Sequence, residues 1–208
     1  MKEGPTEGHI EVITGPMFSG KTEELIRRLR RERIGGGDFL VFKPRKDNRY
    51  GDSGDIFSHN GEKIEAQLVG ADRKEGVMEA YEEASKSDVD VIAFDESNFW
   101  HKSLIQACDL LAHEHGKRVI VAGLDSDFRG EPFSPTPEIM AISEYVDKLT
   151  ARCVKCGRPA NRTQRIIDGK PANYNDEQIV VGGEEKYQAR CSSCHEIPGK
   201  KESLLNEE

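Results

Sequence analysis

Along the first 150 positions, apolar residues gather in short unbroken runs, and polar stretches with helical spacing separate them. The runs at residues 9–14, 39–43, 89–94 and 118–124 lack the alternation of a half-exposed strand, so each reads as a strand buried on both faces. Pro44 ends the second of them. Between the runs, residues 23–30 and 75–87 predict charged helices. Residues 104–115 predict another, with apolar spacing at Leu104, Ala107, Cys108, Leu111 and Ala112. One more is predicted over residues 138–149, through Ile139, Ile142, Tyr145, Val146 and Leu149. Buried strands alternating with helices predict an α/β fold, a mostly parallel sheet covered on both faces. The pattern changes near residue 150. We therefore expect a nucleotide-binding unit over 1–150, a small second domain over 151–197, and a polar mobile tail over 198–208.

The turn after the first strand carries chemistry. Gly15-Pro16-Met17-Phe18-Ser19-Gly20-Lys21-Thr22 fills every position of G-x-x-x-x-G-K-[ST], preceded by a strand and followed by a helix. Glycines in such a loop let backbone N–H groups turn around phosphate oxygens, and the helix N-terminus adds partial positive charge. Lys21 is placed for the β- and γ-phosphates and the Thr22 hydroxyl for Mg²⁺. The alternative, a glycine-rich turn that only caps a helix, is weak. At average composition a full match arises by chance on the order of once in a hundred chains of this length. The loop therefore indicates a P-loop, RecA-like sheet that binds a nucleoside triphosphate.

Charge and composition narrow the field. Lys and Arg number 30 against 38 Asp and Glu, a formal charge of −8, which argues against a general nucleic-acid binder. Arg27, Arg28, Arg30, Arg31 and Arg33 form a local basic stripe on the first predicted helix, read here as a solvated face. No run reaches the roughly 18 apolar residues of a membrane span. Residues 1–8 are polar and unlike a signal peptide, so the expectation is a soluble cytoplasmic protein.

Two Cys-x-x-Cys pairs follow, Cys153/Cys156 and Cys191/Cys194, separated by residues 157–190. Four thiolates in such knuckles suit a tetrahedral Zn²⁺ with no open position, a structural site in a zinc-ribbon-like domain. The separation exceeds the common spacing and predicts an inserted hairpin. Two disulfides are the alternative, disfavoured in a reducing compartment, and His195 is a minor rival ligand to Cys194. Cys108 reads as a buried thiol on a helix face. At the end of the third strand, Asp95-Glu96 resembles a Walker B acid followed by a second acid pointing elsewhere. Asp95 would face Mg²⁺, and Glu96 could activate water or a substrate hydroxyl.

Several segments together resemble the type II (cytosolic, zinc-containing) thymidine kinases. They are Gly15–Thr22 with Met17, Phe18 and Ser19 in the variable positions, Asp47-Asn48-Arg49-Tyr50, Ser58-His59-Asn60-Gly61, and Asp95-Glu96-Ser97-Asn98-Phe99. Further along come residues 123–133, similar to a bacterial-type loop that closes on the base, and residues 180–187, similar to the family's V-I-G-G-x-x-x-Y lasso. The segments stand in family order and, with the four cysteines, cover residues 9–195. Asn98 departs from the family's Gln, and residues 168–178 form a polar, insertion-like stretch.

The resemblance implies Mg²⁺-ATP-dependent phosphorylation of the thymidine 5′-hydroxyl, with Glu96 as the base. It implies that Thr22, Asp95, Arg49 and Asp47 serve the Mg²⁺ ion and the transferred phosphoryl group. The implied thymidine pocket comprises Met17, Phe99, Leu124, Phe128, Phe133, Thr163, Val180, Val181, Gly182, Gly183 and Tyr187. Zn²⁺ on the four cysteines would anchor both ends of the lasso. Feedback inhibition by thymidine triphosphate, a homotetramer, and neither nucleic-acid nor membrane partners are implied as well. The competing reading is a DNA-coupled, RecA-like ATPase whose zinc module binds nucleic acid and whose Glu96 activates water.

Overall fold

The computed structural model describes residues 8–45, 55–57, 63–180, 182–183 and 185–200. The chain runs through β1 (His9–Thr14), α1 (Lys21–Ile34), β2 (Phe39–Pro44), a small hairpin of β3 (Asp55–Phe57) and β4 (Lys63–Glu65), and β5 (Gln67–Val69). It continues through α2 (Lys74–Lys86), β6 (Val91–Phe94), α3 (Leu104–His113), β7 (Arg118–Gly123), α4 (Thr136–Ile142) and β8 (Tyr145–Lys148). One sheet of six strands in the order β5-β2-β6-β7-β1-β8 joins these elements. Every pairing in it is parallel.

The unbroken apolar runs are explained by what covers them. On one face Ile10, Val12, Phe42, Ile92, Phe94, Val119 and Val121 pack against α2, α3 and α4. On the other, Ile13, Val41, Val91, Ala93, Ile120 and Ala122 pack against Leu25, Ile26 and Leu29 of α1. Each fully buried aliphatic side chain contributes about 1.5–3 kcal/mol. Because the sheet is parallel, the loops after β1, β6 and β7 all emerge at one edge, where ligands bind in open α/β sheets.

The helix predicted over residues 138–149 is not formed as one element. α4 stops at Ile142, Ser143 turns extended with ψ 148°, and β8 then pairs with β1. Ile139 is fully buried, but Tyr145 is 60% exposed and Val146 41%. Glu144 decides the change. Its backbone N–H donates to the Ile10 carbonyl at 3.1 Å, and its carboxylate accepts the Ile10 N–H at 2.7 Å, which draws the chain onto the sheet edge. Strand pairing has overridden an apolar spacing that suits a helix.

After residue 150 come β9 (Ala151–Arg152), β10 (Pro159–Ala160), β11 (Arg162–Ile167), β12 (Lys170–Pro171) and β13 (Tyr187–Arg190). β12-β11-β13 form a three-stranded antiparallel sheet and β9-β10 a short ladder. Ala151, Cys153, Ala160, Ala189 and Cys191 make a separate small core. A hairpin does lie between the cysteine pairs. Its turn is Asp168-Gly169, both with positive φ (49° and 78°), the geometry that a two-residue hairpin turn favours. The polar segment from Pro198 begins with contacts: the Pro198 carbonyl accepts the Tyr174 N–H, and Lys200 Nζ donates to the Arg129 carbonyl. Residues 201–208 lie outside the described residues.

Candidate active site

The loop between β1 and α1 is bent into a cradle. Gly15 has φ 136°, and a Cβ there would stand 2.4 Å from the Leu149 carbonyl oxygen, so no other residue fits. Phe18 and Gly20 also adopt positive φ, 65° and 85°. α1 starts at Lys21 with no side-chain cap on its first turn. Its leading N–H groups are those a helix leaves for a ligand. Ser19 Oγ is buried without a hydrogen-bond partner, the mark of a cradle built for a polar guest. Lys21 Nζ folds back onto the Pro16 carbonyl at 2.8 Å, over the loop it would serve.

Beyond β6, Asp95 is 4% exposed and Glu96 takes left-handed backbone angles, φ 53° and ψ 44°. A non-glycine residue holds that region only when its surroundings enforce it, a cost of order 1–3 kcal/mol. Three hydrogen bonds do so. Asp95 Oδ1 accepts the Glu96 N–H at 2.9 Å, the Asp95 carbonyl accepts the buried Trp100 indole N–H at 2.9 Å, and the Glu96 carbonyl accepts the Phe99 N–H at 2.9 Å. β7 lies between β6 and β1, so the acids sit two strand spacings from the cradle, about 10 Å. That span accommodates a phosphate chain.

The residues that the resemblance assigns to thymidine come from both parts of the chain. Met17 N–H donates to the buried Thr163 hydroxyl at 3.0 Å, tying the phosphate loop to β11. Phe99 and Phe133 meet edge to face at 6.1 Å between centroids. The Leu124 N–H donates to Asn98 Oδ1 at 2.9 Å, so the residue that departs from the family's Gln anchors the backbone at Leu124. Asn98 Nδ2 is buried without a partner. Phe128 is 2% exposed and lies under the guanidiniums of Arg129 and Arg165, at 5.2 and 5.5 Å. Tyr187 donates its hydroxyl to the Val180 carbonyl at 2.5 Å, and its N–H and that of Lys186 close on the Gly183 carbonyl. Gly182 is tight as well, with Lys186 Cδ 2.5 Å from where a Cβ would be. Asp47, Arg49 and Val181 lie outside the described residues, as do residues 58–61.

The sulfurs of Cys153, Cys156, Cys191 and Cys194 all fall within 4.8 Å of one another, with Cys156 and Cys191 at 3.6 Å. A tetrahedral ion with 2.3 Å bonds to sulfur requires separations of about 3.8 Å, so the set fits a metal such as zinc. Gly157, at φ 70°, and a short 3₁₀ turn over Ser192–Cys194 shape the knuckles. Burial opposes ionisation of Cys153, but backbone hydrogen bonds around Cys191, Cys156 and Lys155 outweigh it and hold the thiol down to about 6. Hydrogen bonding among the crowded sulfurs pushes Cys194 up to about 12. The four cannot all shed their protons unless a cation replaces them. Arg158 Nε donates to Cys156 Sγ at 3.3 Å. His195 stands apart from the sulfur cluster, and its Nε2 bonds the Phe128 carbonyl at 2.9 Å. Cys108 is fully buried, and burial pushes its thiol up.

Some of these contacts escaped the sequence reading. Trp100 and His195 each act through a backbone carbonyl, and no motif spacing encodes that. A phosphate cradle, a strand-ending acid pair and a parallel sheet define a P-loop α/β enzyme with an attached cysteine metal site. The family model for thymidine kinase matches residues 8–195. The chain belongs to the thymidine kinase family, and it is a thymidine kinase enzyme, as its resemblance to the type II branch implies.

Proposed function

We propose that the enzyme transfers the γ-phosphoryl group of ATP to the 5′-hydroxyl of thymidine, releasing thymidine monophosphate and ADP. One observation carries this reading: the cradle after β1, the acids after β6 and the wall residues after β7 converge on a single edge of one parallel sheet. ATP phosphates lie along Gly15, Pro16, Met17, Phe18, Ser19, Gly20, Lys21 and Thr22. Glu96 takes the 5′-hydroxyl proton as the new O–P bond forms and the bond to the ADP oxygen breaks. Lys21 holds the phosphoryl oxygens, and Thr22 and Asp95 hold Mg²⁺, which neutralises charge on the transferred group when bound. The resemblance gives Arg49 the phosphoryl group to steady and Asp47 a part in serving the Mg²⁺ ion. The enforced backbone of Glu96 supports the base role, since strain of that kind concentrates at catalytic positions.

Thymidine lies among Met17, Phe99, Leu124, Phe128, Phe133, Thr163 and Tyr187. Val180, Val181, Gly182 and Gly183 offer main-chain groups to the base edge. Aromatic edges and an apolar niche suit a flat pyrimidine with a 5-methyl group. Zn²⁺ on the four cysteines holds the flanks of residues 180–187 in a 151–197 unit appended to the nucleotide-binding unit of 1–150. The activity belongs to cytoplasmic salvage for DNA synthesis, with thymidine triphosphate as inhibitor and a homotetramer as the assembly. Among the described residues no helix is long and apolar enough to cross a membrane. The test is 5′-deoxythymidine, which keeps the base and lacks the acceptor oxygen. It should compete with thymidine yet support no ADP formation. ADP formation that it supports as well as thymidine does would assign the turnover to water and overturn the reading.

A further inference from the structure

The loop over residues 125–133 carries Phe128 and Phe133 and is organised by one carboxylate. Asp127 is 2% exposed. Its Oδ1 accepts the N–H groups of Arg129 at 2.9 Å and Glu131 at 3.1 Å, closing the turn around Phe128. Its backbone adds two bonds, from its own N–H to the Glu131 carbonyl and from the Gly130 N–H to its own carbonyl. Its other oxygen, Oδ2, accepts Gln178 Nε2 at 3.0 Å, from the segment between the two cysteine pairs.

Gln178 stands two positions before Val180, whose carbonyl receives the Tyr187 hydroxyl. One side-chain amide thus joins the loop bearing Phe128 to the segment leading to Val180, whose carbonyl is held by Tyr187 at the start of β13. Tyr174 donates to Glu131 Oε1 at 2.9 Å and Arg129 to the Asp176 carbonyl at 2.7 Å, so residues 173–178 lie against the loop along their length. The polar stretch that reads as an insertion is a brace.

We propose that Gln178 is a positioning residue for thymidine: through Asp127 it fixes the separation of the Phe128 wall from the Val180–Tyr187 wall. The assignment rests on the thymidine kinase reading above. Gln178 itself is exposed and belongs to neither core of the main sheet, so replacing it leaves both intact.

The chemistry of the pair supplies a test by exchange of donor and acceptor. Gln178→Glu sets two carboxylates against each other at a site where one is already saturated with N–H donors. Asp127→Asn must keep its oxygen on Arg129 and Glu131, so its amide faces position 178, where a glutamine can turn and accept. The double variant Asp127→Asn/Gln178→Glu rebuilds the bond with its polarity reversed. Initial rates should therefore show Gln178→Glu raising the thymidine KM about tenfold, because a hydrogen bond to a charged group gives way to repulsion between like charges. The ATP KM should stay within about twofold. Asp127→Asn alone should be mild, and the double variant should return the thymidine KM to within about threefold of the parent.

Amide exchange over residues 126–133 without nucleoside gives a readout independent of turnover. Exchange should quicken in Gln178→Glu and recover in the double variant. An unchanged thymidine KM in Gln178→Glu, or a double variant no better than that single one, overturns the assignment. A parent enzyme without thymidine turnover instead overturns the kinase reading on which it rests.

Discussion

Glu96 is held in a backbone conformation it would not choose, and the residues that hold it explain more than its identity does. Asp95 supports it from the side chain, and Trp100 supports it indirectly by fixing the Asp95 carbonyl. Trp100→Phe keeps an aromatic ring beside Phe94, which Trp100 meets edge-on at 5.1 Å, but removes the indole donor and part of the buried ring. The lost hydrogen bond to the Asp95 carbonyl, with the space the smaller ring leaves, should cost about 1–3 kcal/mol in thermal or urea unfolding. The same variant should lower kcat more than it changes the thymidine KM. Glu96→Gln should lower kcat by about 10²–10⁴ while leaving nucleoside binding near normal, measured by initial rates and by titration with thymidine. The acid pair was legible in the sequence because an apolar strand that ends in acids is a local pattern. The part played by Trp100 was not, because a tryptophan beside a strand end looks the same whether its N–H is used or merely packed. Asn98 was visible as a departure from the family, but only its bond to the Leu124 N–H shows what the side chain does.

Among the elements, α1 is fixed to the sheet by charge as well as by Leu25, Ile26 and Leu29. Glu11, inside β1 and 7% exposed, pairs with Arg28 of α1 at 2.5 Å and Arg118 of β7 at 2.5 Å. Arg28 also binds Glu24 and, across the edge, Asp147 of β8. The basic stripe expected to be a solvated face thus turns one member inward, since the Arg28 side chain is only 11% exposed. Burial alone would raise the Glu11 carboxyl, but hydrogen bonds from Arg118 and His9 and the charge of Arg118, with Arg28 behind, bring it down to about 2 from 4.5. A depressed folded-state value means that the stabilisation is complete above the unfolded value and is lost as pH falls from about 4.5 toward 2. At neutral pH it amounts to roughly 3 kcal/mol by linkage. Unfolding of Glu11→Gln should accordingly show a deficit at pH 7 that narrows toward pH 3. A deficit constant with pH would assign the loss to packing. The strands were readable because both faces are covered, which leaves long apolar runs. The end of α4 and the start of β8 were not, because the deciding contact, Glu144 with Ile10, joins positions far apart in the chain.

At the scale of the molecule, a parallel sheet with its own two cores carries the phosphate cradle and the acids, and the cysteine-bearing unit has a small core of its own and supplies the residues proposed to surround the nucleoside. Met17 with Thr163, and Asp127 with Gln178, stitch the two together across 146 and 51 positions of sequence. The family resemblance implied that both parts serve one site, whereas these contacts depend on side-chain reach, which spacing does not contain. Zinc, if it holds the cysteines as proposed, should be found at one ion per chain. Its removal by a chelator should speed amide exchange across residues 151–197 while the strands of the main sheet stay protected. Loss of protection throughout would make the metal site essential to the whole fold. The most direct measurement is ADP formation from Mg²⁺-ATP by the purified protein, with thymidine, other deoxynucleosides or single-stranded DNA, run beside Glu96→Gln. The account predicts stimulation by thymidine, with thymidine monophosphate formed in equal amount and both abolished in the variant. Stimulation by DNA alone, with no nucleotide product from thymidine, would contradict it.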